Sequence, residues 1–280
     1  MKYQPNLTVL ILLGLQVTIM GGEINRNISS GELLEFLAYR YGTDKSHDDH
    51  KYVDFYETIF QHRRHMVRNL TEIGVLFGRS LQVWNEYFPK AQIQGIDLHF
   101  DAAVMRNLSP LRRVKLHSCD VLSAEKVHAL NFAKESMDVI IDDGPHERNN
   151  QEITLANFWT YLKPGGVYII EDVDAQRGGL DFEENPDKLE SYTKQIFTDN
   201  HVFWVDTAIG HRAWEKWLQV STNIWARNRR MHNSYLVVIR KRIGPVPEVQ
   251  VNFGSQDFLA GKLVPSRDVD IEEMVASLKL

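Results

Sequence analysis

The sequence has a single cysteine and no long run of basic residues. Cys119 is the one thiol in 280 residues, so the chain can form neither an internal disulfide nor a metal site built from clustered cysteines. A net charge of −5 gives no compositional support for binding nucleic acid. A hydrophobic content of 43% is enough for one sizeable core. We therefore expect one globular domain with appendages.

The apolar stretch near the N-terminus, residues 7–20, is short for a membrane span, which needs about 20 residues. Lys2 precedes this stretch and Gly21 and Gly22 follow it, which is typical of a secretory signal peptide. We therefore expect residues 1–22 to be a signal-like or anchor segment that places the protein in the secretory pathway or at a membrane. The alternative is a cytoplasmic protein in which a hydrophobic helix packs on the domain or on a partner.

Strand and helix signals alternate from Val67 onward. This alternation predicts an α/β fold, a doubly wound, Rossmann-like sheet of seven strands with helices on both faces. We expect the sheet to be mostly parallel with an antiparallel last strand. The predicted strands are Val67–Ile73, Gln92–Asp97, Arg113–Ser118, Met137–Asp142, Gly166–Glu171, His201–Thr207 and Tyr235–Arg240.

A glycine-containing turn follows the first predicted strand. Glu72 ends that strand, Gly74 and Gly78 lie in the turn, and Ser80 begins the next helix. Glycines let the backbone approach a ligand closely, and the start of a helix offers free N–H groups. These four residues are therefore candidates for binding a cofactor, although such turns are also common without one.

Two further acids follow the second and third predicted strands. Asp97 lies twenty-three residues beyond Gly74, where an acid can accept both hydroxyls of a ribose. Asp120 follows the third strand, within reach of an adenine edge. Turn glycines and surface acids would explain each signal alone, but the ordered series favours a cofactor that contains adenosine.

The first turn lacks both the G-x-G-x-x-G pattern of dinucleotide sites and a G-x-x-x-x-G-K-[ST] phosphate loop. An acid-rich cleft also disfavours phosphates. S-adenosylmethionine fits better because it carries a cationic sulfonium and no phosphate, and Glu72 could bind its ammonium group. A nicotinamide-dependent oxidoreductase is the disfavoured alternative.

Two predicted strands end abruptly in paired carboxylates. One ends in Asp142-Asp143, with His146 three residues later, and the next ends in Glu171-Asp172. Neighbouring parallel strands end at the same edge of a sheet, so these carboxylates would meet and repel one another unless cations or protons neutralise them. The pattern indicates either a hard divalent metal or a set of acid and base groups. Turn formation and helix capping are the simpler explanations.

Together these segments resemble the class I S-adenosylmethionine-dependent methyltransferases. Within that class they are most similar to the metal-dependent O-methyltransferases of the mycinamicin type, which act on sugar hydroxyls of macrolide antibiotics. The similarity extends over about residues 38–240. The segments that carry it are Tyr41-Gly42-Thr43-Asp44-Lys45 with His50-Lys51-Tyr52 and Tyr56, Glu72-Ile73-Gly74-Val75 with Gly78-Arg79-Ser80, Gly95-Ile96-Asp97, Ile141-Asp142-Asp143-Gly144-Pro145-His146 and Leu162–Asp172.

The resemblance implies Mg²⁺ held by Asp143, Glu171 and Asp172, with His146 as the general base. Mg²⁺ prefers about six oxygen ligands and often keeps several waters. Three carboxylates would therefore leave positions for an acceptor's hydroxyls. We expect Asp142 to face the cofactor. Pro145 stands where the family commonly has a small polar residue, a difference that bears on the orientation of His146.

We therefore predict a Mg²⁺-assisted O-methyltransferase that uses S-adenosylmethionine on a hydroxyl of a small molecule, such as a sugar or glycoside. The rival hypothesis is a secreted or membrane-tethered binding protein on the same fold without turnover. Homo-oligomer contacts could come from the N-terminal helices and the tail. The expected divisions are the segment 1–22, a helical cap 23–66, the methyltransferase domain 67–242 and an appendage 243–280.

Overall fold

The computed structural model describes residues 32–47, 49–173, 191–207, 235–244 and 263–265. Eight strands lie in these ranges: β1 (Asn69–Ile73), β2 (Gln92–Asp97), β3 (Val114–Ser118), β4 (Met137–Asp142), β5 (Leu162–Ile170), β6 (His201–Asp206), β7 (Tyr235–Arg240) and β8 (Leu263–Pro265). The α-helices are α1 (Leu33–Tyr41), α2 (Tyr52–Phe60), α3 (Arg79–Tyr87), α4 (Ala102–Leu108), α5 (Ala124–Ala129), α6 (Arg148–Phe158) and α7 (Ser191–Asp199). A 3₁₀ turn, Trp159–Tyr161, joins α6 to β5.

The strands form one sheet in the order β3-β2-β1-β4-β5-β7-β6-β8. Strands β1 to β5 pair in parallel, and β7 runs antiparallel to both of its neighbours. The prediction of a doubly wound, mostly parallel sheet is thereby confirmed. The tail adds the eighth strand, which pairs in parallel with β6, where we expected only an appendage. Three residues are too few to show the alternation from which the other strands were predicted.

Alternating side chains of the central strands pack against helices on both faces of the sheet. Ile141 and Ile169 face the layer formed by α1, α2 and α3, while Ile140 and Tyr168 face the layer that contains α6 and α7. All four are fully buried. This burial on both faces explains why β4 and β5 are continuous apolar runs until the acids at their ends.

The two N-terminal helices are tied to the domain through one buried carboxylate, Glu57. Its oxygens accept hydrogen bonds from the backbone N–H of Leu34 at 2.8 Å and from the hydroxyl of Tyr87 at 2.9 Å. Burial raises the pKa of Glu57, and both donors oppose that rise. Helices α1 and α2 are therefore fixed against α3, and the segment between them reaches the carboxyl edge of the sheet.

The strand order reverses between β1 and β4, and this is where α/β sheets open a crevice at the carboxyl ends of their strands. The expected segment 1–22 and most of the expected appendage lie outside the described residues. Within the described ranges, no helix is long and apolar enough to cross a bilayer. The four expected divisions of the chain stay predictions.

Candidate active site

A cleft of about 570 Å³ opens at this edge of the sheet. A volume of that size suits a small organic ligand or cofactor. Among the residues predicted from the sequence, Gly74, Ser80, Asp97, Asp120, Asp143, His146 and Asp172 line the cleft. Glu72, Gly78, Asp142 and Glu171 lie outside its lining.

Gly74 brings the turn after β1 against the end of β4. It has φ +84°, and a Cβ atom there would lie 1.8 Å from the backbone oxygen of Asp143. No side chain fits in that space, so glycine is required for the two segments to meet. The backbone N–H of Asp143 donates to the oxygen of Ile73 at 2.8 Å and continues the contact.

Asp97 holds the same turn from the other side. Its Oδ2 accepts hydrogen bonds from the backbone N–H groups of Val75 at 2.8 Å and Leu76 at 3.1 Å. Its Oδ1 has a longer contact, at 3.4 Å, with the N–H of His99. Asp97 therefore stabilises the turn and lines the cleft at once.

Asp120 lies on the cleft wall after β3. One carboxylate oxygen accepts from the backbone N–H of Leu122 at 3.2 Å, and the other lies 3.2 Å from the ammonium of Lys126. The side chain of Lys126 is mostly exposed, so this ion pair holds Asp120 only weakly.

Glu72 lies beneath the turn rather than in the cleft. It is fully buried and accepts a hydrogen bond from the Ser80 hydroxyl at 2.8 Å. Burial raises its pKa to about 7, although the nearby ammonium of Lys45 opposes the rise. The structure therefore gives Glu72 a place behind the cleft wall.

The two acids that end β4 differ in environment. Asp142 is 1% exposed and accepts hydrogen bonds from the Tyr168 hydroxyl at 3.1 Å and the Gly144 N–H at 3.3 Å. Burial raises its pKa to about 7. The side chain of Asp143 is 24% exposed and faces the cleft.

The two acids at the end of β5 differ in the same way. Glu171 is 1% exposed and is bound by the Lys45 ammonium and the Tyr56 hydroxyl. Asp172, whose side chain is 14% exposed, lines the cleft. Asp172 has φ +53°, a conformation that non-glycine residues seldom adopt and that often marks functional sites.

Lys45 is a buried cation among these carboxylates, and sequence reasoning assigned it no role. Its ammonium lies 2.7 Å from Asp143, 3.8 Å from Glu72 and in contact with Glu171, with its side chain only 3% exposed. Burial lowers the pKa of a lysine, but here the surrounding carboxylates outweigh burial and raise it well above its ordinary value. The neighbouring carboxylates therefore stabilise the charged form of Lys45.

Among the residues that the structure describes, the carboxylates of this cluster outnumber the cations. One ammonium cannot neutralise Glu72, Asp143 and Glu171 together, and burial raises the pKa of Asp143 and of Glu171 despite Lys45. The excess negative charge extends to Asp172 beside them. Such a site favours a further cation or retained protons.

Asp143, His146 and Asp172 form a group that can hold a metal ion, because one ligand atom from each lies within 4.8 Å of the others. Two carboxylates and an imidazole suit a hard or borderline divalent cation. The two carboxylates and the excess negative charge fit Mg²⁺, which prefers oxygen ligands, and the imidazole of His146 lies beside them. Glu171, the third predicted ligand, has both oxygens engaged by Lys45 and Tyr56 and stays a predicted ligand.

His146 lies at the rim of the cleft with 31% of its side chain exposed. Its Nε2 is 3.8 Å from an oxygen of Asp172, and its Nδ1 is buried with no hydrogen-bond partner among the described residues. The peptide bond before Pro145 is trans, as are all others in the described chain. With Pro145 in place, the imidazole still lies beside the two candidate metal ligands.

Residues 71–173 match the model of a methyltransferase domain family. This part of the chain is therefore similar to a methyltransferase domain. It contains the glycine turn, Asp97, Asp120, both acidic strand ends and His146, so the matched segment carries every site residue predicted from the sequence.

Two curated relatives are named as O-methyltransferases. The chain is 30% identical over 147 residues to mycinamicin VI 2''-O-methyltransferase of Micromonospora griseorubida. It is 31% identical over 144 residues to 8-demethyl-8-alpha-L-rhamnosyl tetracenomycin-C 2'-O-methyltransferase of Streptomyces olivaceus. These matches cover 50% and 49% of this chain, and each spans 36% of the relative's length.

Among solved structures, MycE in complex with Mg, SAH and mycinamycin VI is 22% identical to this chain. The superposition covers 77% of this chain and 57% of that chain, with a TM-score of 0.49. At that score the likeness adds no argument about the site.

Sequence reasoning missed the contribution of the loop after α1 and of the first turns of α2. Lys45, Tyr52 and Tyr56 come from there and contact Asp143, Asp172 and Glu171 across 98 to 126 residues of sequence. The available signal was a lysine followed by two tyrosines one helical turn apart, on a segment that already resembled the family. Nothing in their spacing indicates which acids they would meet.

Proposed function

We propose that this protein transfers the methyl group of S-adenosylmethionine to a hydroxyl of a small molecule, with Mg²⁺ assisting. The observation that carries the proposal is the position of Asp143, His146 and Asp172 together at the rim of a cleft that Asp97 and Asp120 also line. A cofactor site and an acceptor site would then share one cavity at the switch point of the sheet.

The cofactor half of the proposal rests on Gly74, Asp97 and Asp120. The close approach at Gly74 shapes a glycine-lined wall, and the carboxylate of Asp97 is available to a ribose hydroxyl. Asp120 would meet the adenine. The sulfonium, which is cationic, is favoured by the excess of carboxylates near Asp143.

The acceptor half of the proposal rests on Asp143, Asp172 and His146. When bound, Mg²⁺ would orient the acceptor and lower the pKa of its hydroxyl. The acceptor oxygen forms its bond to the methyl carbon as the sulfur–carbon bond breaks, which leaves S-adenosylhomocysteine. Nε2 of His146 takes the hydroxyl proton, and in-line positioning contributes much of the rate.

The names of the relatives support an acceptor of the sugar or glycoside class. Both names give a numbered position for O-methylation, and one of them names a rhamnosyl group on the compound that is methylated. Vicinal sugar hydroxyls are also suited to chelating a divalent cation that retains open coordination positions. The particular acceptor depends on cleft walls that carry no recognisable sequence signal.

Calorimetry with S-adenosylmethionine, S-adenosylhomocysteine and NAD, each with and without Mg²⁺, tests the proposal. We expect binding of the first two ligands and none of NAD. If neither S-adenosylmethionine nor S-adenosylhomocysteine binds, the proposal is refuted. Binding without turnover over a panel of glycosides would favour the rival binding protein.

Two variants then assign the roles within the site. Asp143→Ala and His146→Ala should each abolish transfer while leaving cofactor affinity largely intact, because neither side chain belongs to the proposed cofactor contacts. If both variants lose cofactor binding as well, Asp143 and His146 have structural roles instead.

We also propose that residues 1–22 direct the chain to the secretory pathway or to a membrane. The support is the basic residue Lys2 before an apolar stretch that is followed by small residues. N-terminal sequencing and cell fractionation test this proposal. An intact Met1 on a chain that fractionates with the cytosol would contradict it.

A further inference from the structure

Tyr52 contacts Asp172 through both the side chain and the backbone of the acid. Its hydroxyl donates to Oδ1 of Asp172 at 2.5 Å and accepts from the backbone N–H of Asp172 at 3.2 Å. Tyr52 is 1% exposed and begins α2, so its ring is fixed by the packing of the N-terminal helices. One phenol oxygen thus holds an acid whose backbone conformation is unfavourable for a non-glycine residue.

The remaining oxygen of Asp172 points toward the candidate metal group. Oδ2 is the oxygen that lies 3.8 Å from Nε2 of His146. Oδ1 lies on the other side, near Tyr52 and at 3.7 Å from Nδ1 of His50. The ring of His50 stacks on Tyr52 with 5.1 Å between ring centroids, which restricts the phenol further. The two oxygens of Asp172 therefore have separate environments.

We propose that Tyr52 is a positioning residue that occupies Oδ1 of Asp172 and so reserves Oδ2 for the metal ion. This inference rests on the proposed function, because it takes Asp172 as a ligand of the metal. A hydroxyl suits this task, since it orients the carboxylate without cancelling its charge. Lys45, by contrast, brings a full positive charge to Asp143 and Glu171. Groups that orient ligands in this way tune metal affinity.

The test is the affinity of the full chain for Mn²⁺ in the absence of any methyl donor or acceptor. Mn²⁺ accepts the same carboxylate ligands as Mg²⁺, and the free ion can be counted by electron paramagnetic resonance. Tyr52→Phe removes only the hydroxyl and keeps the ring. We expect it to weaken Mn²⁺ binding roughly tenfold, the lower end of the usual effect of such residues.

Tyr87→Phe is the matched control. Tyr87 is also a buried tyrosine that donates to a carboxylate, Glu57, but that carboxylate lies outside the cleft lining. The Tyr87→Phe substitution should leave Mn²⁺ affinity unchanged. Affinity for S-adenosylhomocysteine, measured by calorimetry, should match the wild type in both variants and serves as the test of folding.

The outcomes separate this inference from the proposed function. If Asp172→Asn binds Mn²⁺ as the wild type does, the proposed metal site is wrong and the inference fails with it. If Asp172→Asn loses Mn²⁺ but Tyr52→Phe behaves like Tyr87→Phe, the metal site stands and the role of Tyr52 is refuted. Loss of both Mn²⁺ and S-adenosylhomocysteine binding in Tyr52→Phe would make Tyr52 a structural residue and refute its positioning role.

Discussion

The two acidic strand ends have the same design but different partners. In each pair the first acid, Asp142 or Glu171, is 1% exposed, and the second, Asp143 or Asp172, faces the cleft. At the end of β4, consecutive side chains point in opposite directions, which places one acid in the core and the next at the cleft. The buried acids differ because Asp142 meets only neutral donors, whereas Glu171 meets the ammonium of Lys45.

This difference shows two ways of placing an acid beneath a binding site. Burial raises the pKa of Asp142 to about 7, so this residue can be accommodated as a neutral acid. Glu171 instead belongs to a charged cluster with Lys45 and Asp143. The folded state should therefore hold Glu171 through its ion pair with Lys45 and hold Asp142 through proton uptake.

Removing Lys45, the buried cation that contacts both Glu171 and Asp143, should have the largest effect. Lys45→Met would leave buried carboxylates without their counter-ion, a change that typically costs about 3–5 kcal/mol. Urea unfolding in the presence of a chelator would measure the loss. The matched control is Lys163→Met, because Lys163 forms an ion pair of the same 2.7 Å length with Asp138 but its side chain is 34% exposed. The control should lose at most about 1 kcal/mol. Equal losses would show that burial does not distinguish the two pairs.

Replacing Asp143, the cleft-facing acid after β4, should have the next largest effect. Asp143→Asn should lower the rate of methyl transfer by at least roughly 100-fold, since a metal ion contributes several kcal/mol of charge stabilisation. It should also weaken Mn²⁺ binding. Asp142→Asn is the control, because Asp142 lies outside the cleft lining and outside the candidate metal group. If Asp142→Asn weakened Mn²⁺ binding as strongly, the assignment of the cleft-facing acid as the ligand would be wrong.

The pH dependence of the free energy of unfolding tests whether Asp142 is held as a neutral acid. Unfolded Asp142 releases its proton near pH ~4, whereas folded Asp142 holds its proton up to about pH 7. The folded state therefore binds more protons in this window, and stability should fall as pH rises from ~4 toward about 7. In Asp142→Asn this contribution should be absent. Urea midpoints of the metal-free chain across the window would measure both slopes, and identical slopes would contradict the raised pKa.

The sheet and the cleft-facing acids could be predicted from the sequence because their signals are local. Strands β4 and β5 are apolar runs that end in acids, and parallel pairing brings those ends together. The contributions of Lys45 and Tyr52 could not be predicted in this way. They depend on how α2 packs across the sheet, and the sequence fixes neither that packing nor which oxygen each donor meets. Glu171 illustrates the same limit, because its burial follows from Lys45 and Tyr56 rather than from its own strand.

Removing the neutral partner of Asp142 should have the smallest effect. Tyr168→Phe deletes one hydroxyl that donates to Asp142 at 3.1 Å and keeps the buried ring. A hydrogen bond of this kind contributes about 1 kcal/mol, so the urea midpoint should fall slightly. Mn²⁺ affinity should stay that of the wild type, because Asp142 lies outside the metal group. Tyr52→Phe is its counterpart at the β5 end, where the same deletion is expected to change metal affinity. If Tyr168→Phe also weakened Mn²⁺ binding, the two strand ends would act as one unit and the contrast between them would fail.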